Sequence, residues 1–119
     1  MTPAVLVAIG EPPFRAPRVP HGTSLVVFSG PSGNQTEVDL LLAGLGDADA
    51  AAFGSTPTET IKLVERGTVL ATLEREQLVA TRLPQVVRAI SLPKPGTRLG
   101  DPAVWVAQHG GRVRLIGAP

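Results

Sequence analysis

The sequence predicts a mainly β domain: a small antiparallel sandwich or barrel of about seven short strands with one or two short helical turns. Three observations lead there. Thirteen glycines and twelve prolines punctuate the chain at short intervals. The apolar runs between them are short, the length of strands rather than helices. The strongest of these runs, Thr23–Ser29 (TSLVVFS), is rich in β-branched residues and ends on Phe28, a composition that favours a pleated, buried surface.

Taken in order, Ala4–Ile9 reads as a first strand. Residues 11–22 (EPPFRAPRVPHG) carry four prolines, so they cannot be helical and predict a stiff arm or loop. Thr23–Ser29 is the second strand, and Gly30-Pro31-Ser32-Gly33-Asn34 is turn chemistry. Gln35–Leu42 supports two patterns. Val38, Leu40 and Leu42 alternate with Glu37 and Asp39 as in a strand, and the preceding turn makes that segment a hairpin partner. Asn34 with Glu37 also matches a capping box, and Val38, Leu41, Leu42 and Leu45 fall at helical spacing. The strand is the preferred reading, with an α+β fold carrying a helix at about 35–45 as the alternative. Asp47–Phe53 predicts one helical turn. Residues 58–65 and 68–73 predict a hairpin across Arg66-Gly67, with Ile61 and Leu63 inward and Lys62 outward. Glu74–Arg82 has helical composition, and Pro84 interrupts what precedes it. Gln85–Leu92 reads as a strand. Ala103–Gln108 and Arg112–Ile116 then predict a C-terminal hairpin, in which Trp105 meets an arginine of the next strand.

Length and composition bound the rest. The 119 residues fit one β-rich domain spanning 1–119. Its rings are Phe14, Phe28, Phe53 and Trp105 alone, so the core is aliphatic. Without Cys there is no disulfide, thiolate nucleophile or Cys-based zinc site. The N-terminus has no basic n-region before its short apolar run, and no run reaches the ~20 residues of a membrane helix. A soluble protein without a signal peptide is expected, cytoplasmic or part of a particle assembled there. Net charge is +1, which offers no global field for nucleic acid. Residues 1–65 nevertheless hold three basic against seven acidic side chains, and residues 66–119 eight against three.

Catalytic signals are weak. The Gly30–Gly33 turn has part of a phosphate loop's form, but Asn34 and Gln35 stand where a Walker loop needs Lys and Ser or Thr. His21 and His109 lie in Gly- or Pro-rich loops, and no serine sits in a nucleophile elbow. The pairs Glu37/Asp39 and Asp47/Asp49 are too few oxygens for a Ca²⁺ shell. Arg82, Arg88, Lys94, Arg98, Arg112 and Arg114 lack the interleaved aromatics of a nucleic-acid face. No catalytic residue, cofactor or metal is therefore expected.

What is left is a non-enzymatic structural or assembly subunit that self-associates or joins a larger assembly. An accessory protein of a phage head or tail is one such class. The expected contact residues are Phe14, Arg15, Arg18 and Val19 of the arm, with Trp105, Arg112 and Arg114 of the C-terminal hairpin. The alternative is a β domain that binds a sugar, lipid or peptide near Trp105. A small hydrolase built on His21 or His109, and a nucleic-acid module, follow behind.

Overall fold

A computed structural model of the chain describes residues 4–31, 33–55, 61–65, 68–73 and 80–117. It corrects the expected fold class: the domain is α/β, built on a mixed five-stranded sheet with helices, not a mainly β antiparallel sandwich or barrel. The strands are β1 (Ala4–Ile9), β2 (Phe14–Arg15), β3 (Thr23–Ser29), β4 (Ala50–Ser55), β5 (Ile61–Glu65), β6 (Thr68–Leu73), β7 (Ala80–Arg88), β8 (Arg98–Gly100) and β9 (Val113–Gly117). The helices are α1 (Gln35–Gly44) and α2 (Pro102–Gln108). The central sheet runs β1-β3-β7-β4-β9. β1 is parallel to β3 and β9 to β4, while β7 is antiparallel to both of its neighbours. Four strands therefore point one way, and β7 alone runs against them.

The continuous apolar run of β3 now has its reason. A strand inside a sheet covered on both faces has no wet side. Val26 and Phe28 enter one core with Phe14, Ala16, Ala50, Val87, Leu99 and Val106. Leu25 and Val27 enter the other with Leu41, Leu45, Ala51, Phe53 and Val86.

Three local expectations fail, the first for a local reason and the others for tertiary ones. Gln35–Gly44 is a helix: the Asn34 side chain accepts from the amides of Thr36 (2.9 Å) and Glu37 (3.3 Å), and Leu41 and Leu45 bury at helical spacing. The alanines of 50–52 form a central strand, not a helical turn, because a completely buried position overrides their helix propensity. Ala103–Gln108 is a helix rather than a strand. Asp101 caps it by accepting from Val104 N at 3.1 Å, and Pro102 starts it. Gly110, with φ +85°, ends it in the left-handed region as Gly111 N donates to Val106 O. Hence β9 has no hairpin partner and pairs in parallel with β4.

Pro84 does not interrupt β7. It lies at an irregularity where Ala52 faces Gln85 and Phe53 faces Arg82, so no ladder bond is asked of it. β5 and β6 pair antiparallel as the sequence predicts. The Arg66-Gly67 turn, most of the polar stretch 74–82 and the facing of Ile61, Lys62 and Leu63 lie outside the described residues and side chains.

The Pro-rich arm packs on its own domain. Phe14 meets Phe28 edge to face at 5.2 Å, β2 pairs with β8, and Val19 lies against the same core.

Candidate functional site

Because β1 and β3 are parallel, Ile9 and Ser29 end at one edge of the sheet. The antiparallel β7 begins at that edge, which brings Arg82 there. In open α/β sheets ligands bind outside the carboxyl ends of the strands. Here that edge holds a polar cleft of about 370 Å³ bounded by Glu11, Gly30, Gly33, Asn34, Glu37 and Arg82.

Each wall has a local cause. Gly33 folds back so that its amide donates to Gly30 O at 3.1 Å. A Cβ on Gly33 would run into Ser29 Oγ, so a larger residue there would have to displace that hydroxyl. Asn34 then caps α1, which aims the positive end of the helix dipole at the cleft. The cap already takes the amides of Thr36 and Glu37, so an anion would meet the dipole and Arg82 more than free N–H groups. Arg82 pairs with Glu37 of α1, and its guanidinium lies 4.6 Å over the Phe53 ring. In the sequence Arg82 is only one of a basic series and Glu37 only half of a carboxylate pair. Their meeting across the edge has no local signature.

The expected contact residues are scattered. Phe14 and Val19 belong to the core. Arg15 donates to Gly96 O at 3.1 Å and Arg18 is exposed. Trp105 lies on α2 and stacks on His109, with ring centroids 3.9 Å apart. Arg112 and Arg114 both reach Asp47, at 3.1 and 3.6 Å. The carboxylate pairs diverge as well: Asp39 accepts from Gln35 and Glu37 turns to Arg82. Each of these ion pairs joins an acid of the first half to a base of the second. Part of the charge asymmetry of the sequence is thus met within the fold.

A second cavity, of about 230 Å³, lies between Asp49, Ser91, Trp105 and His109. Asp49 accepts from Arg112 N at 2.7 Å and from Ser91 Oγ at 3.2 Å. The Arg112 backbone amide holds its carboxyl below the ordinary value, against partial burial and with help from Ser91. His109 Nδ1 lies 2.8 Å from Trp105 O. Its ring is thus engaged with α2 rather than with Ser91. Among the described residues no three His, Cys, Asp or Glu side chains cluster to hold a metal, and no helix is long and apolar enough to cross a membrane.

The fold is similar to that of several solved structures. A crystal structure of 4-diphosphocytidyl-2C-methyl-D-erythritol synthase superimposes with a TM-score of 0.58 at 21% identity, over 80% of this chain and 46% of that one. The corresponding synthase of Anaerococcus prevotii gives 0.61 at 12%, over 85% and 52%. The 2-C-methyl-D-erythritol 4-phosphate cytidylyltransferase of Thermus thermophilus gives 0.57 at 18%, over 81% and 52%. The chain spans about half the length of these proteins. No protein-family model and no curated protein sequence matches it.

These likenesses correct the functional expectation. The expected non-enzymatic structural or virion subunit rests on weak catalytic motifs and a Pro-rich arm, whereas the fold found is shared with solved enzymes. The alternative of a β domain binding a ligand near Trp105 loses its scaffold for the same reason, since Trp105 stands on a helix.

Proposed function

We propose that this chain is a nucleotidyltransferase-type enzyme domain whose carboxyl-edge cleft receives the phosphates of a nucleotide. The observation that carries this reading is the convergence of Gly30, Gly33 and Asn34, the N-terminus of α1 and Arg82 on one polar cleft of such a fold. The names of the similar enzymes favour a cytidine nucleotide as donor and a phosphorylated polyol as acceptor. In that transfer an acceptor phosphate oxygen attacks the α-phosphorus of the nucleoside triphosphate. The bond to the bridging oxygen breaks, and pyrophosphate leaves with the electron pair. Charge spreads over the phosphoryl oxygens, and catalysis rests on positioning and on cations held ready. Arg82 is such a cation, oriented by Glu37 and the Phe53 ring.

A second reading is nucleotide binding without transfer. It is favoured by the pairing of Arg82 with Glu37, because Glu11 adds a further carboxylate to the same cleft. A nucleotide arriving as its Mg²⁺ complex would bring the missing positive charge.

Calorimetric titration with CTP and Mg²⁺ tests binding, and ³¹P NMR after addition of 2-C-methyl-D-erythritol 4-phosphate tests transfer. Binding followed by pyrophosphate release supports the enzyme. Binding without release selects the second reading, and absence of nucleotide binding overturns both.

A further inference from the structure

The five-stranded sheet has two outer strands of opposite chemistry. On β9, Arg114 is the second residue of the strand, with Arg112 just before the strand begins. Charges of this kind guard an edge against pairing. β1 (AVLVAI) has neither charge nor proline, and among the described residues no strand pairs with its outer side. Gly10 N donates to Ser29 O at 2.9 Å. The alternation of a strand then directs the backbone groups of Leu6 and Ala8 toward β3 and those of Val5, Val7 and Ile9 outward. The side chains of these same three residues are exposed, Val7 by 54% and Ile9 by 71%. An apolar groove of about 500 Å³ runs along them toward Val38 and Leu42 of α1.

We propose that β1 is the interface for a second copy of this chain, the two strands pairing antiparallel about a two-fold axis through Val7. An axis normal to the sheet keeps each face of the sheet continuous, so residues of like parity must oppose. Centring on Val7 sets Val7 against the second copy's Val7 and Val5 against its Ile9. This register uses all three outward-facing residues, each exchanging both its N–H and its C=O with the residue opposite. It sets valine against valine and valine against isoleucine, which are favourable cross-strand pairs. The two grooves then join into one apolar strip. A net charge of +1 leaves little repulsion between copies. A single six-residue pair is a small contact, so the dimer is concentration-dependent. The nucleotide reading is not needed for it.

The chain lacks cysteine, which gives a clean test. In a hydrogen-bonded antiparallel pair opposite Cα atoms lie about 5.5 Å apart, within disulfide reach. Full-length Val7→Cys is therefore expected to form a covalent dimer under mild oxidation much faster than Leu115→Cys, whose site is exposed on β9. Sedimentation of the wild type should show monomer passing to dimer with concentration, and Val7→Lys should stay monomeric. Three results overturn the proposal: a wild type monomeric at all concentrations, a dimer indifferent to Val7→Lys, or equal cross-linking at the two sites. If Val7→Lys fails to fold, the pair of cysteine variants still decides.

Discussion

Gln85 Nε2 lies 3.1 Å from Asp101 Oδ1, while Gln85 Oε1 accepts from the Ala103 amide at 2.9 Å. One fully buried side chain on the central strand β7 thereby fixes both the cap and the first turn of α2. Thr81 Oγ1 completes the cluster by donating to Asp101 Oδ2 at 2.9 Å. Among the described residues, no buried side-chain polar atom lacks a partner.

Gln85→Leu keeps the volume and strands the Ala103 amide, so it should cost about 2–4 kcal/mol in urea unfolding. Gln85→Glu sets a carboxylate against Asp101. It should be destabilised at neutral pH and recover in part as the pH falls.

Phe14 separates a core role for the Pro-rich segment from a surface one. Phe14→Ala removes a buried ring packed on Phe28 and should cost about 3–5 kcal/mol. Arg15→Ala and Arg18→Ala, both on exposed side chains, should stay within about 0.5 kcal/mol. Thermal or urea denaturation of the three variants checks this.

Arg82 is only partly covered by Glu37 and the Phe53 ring. Arg82→Ala should therefore lose about 1 kcal/mol of stability yet abolish CTP binding by calorimetry. Glu37→Gln frees the guanidinium and should tighten CTP severalfold. The opposite order of affinities would remove Arg82 from the phosphate site.

Asp49 sets an acid limit. Its carboxyl in the folded protein lies below the ordinary 3.8, chiefly because the Arg112 amide donates to it. A depressed carboxyl contributes its full stability above the unfolded value and loses it as pH falls through the folded one. Urea midpoints should fall below about pH 4 in the wild type, and Asp49→Asn should lose part of that slope. A variant with the wild-type slope would assign the acid loss elsewhere.

Much of the local structure was legible. β1, β3, the β5–β6 pair and β9 were visible as short apolar runs, and the Asn34 cap was present as an alternative to the strand at 35–42. The ordering of these pieces was not. Parallel pairing leaves no hairpin turn to read, so β1–β3 and β4–β9 have no counterpart in adjacent sequence. The cleft was hidden for a related reason: Arg82 and Glu37 lie 45 residues apart and meet only when β7 passes beside α1.

The sequence by itself determined where the chain turns, which runs are apolar on both faces, and that Asn34 can begin a helix. These are short-range matters of sterics and hydrogen bonding. Only the tertiary structure decided that Ala50–Phe53 is a strand, that Val104–Val106 is helical, and that the Pro-rich arm covers its own sheet. In each case the gain from burial, or from the Gln85 hydrogen bonds, exceeds the small difference in local propensity.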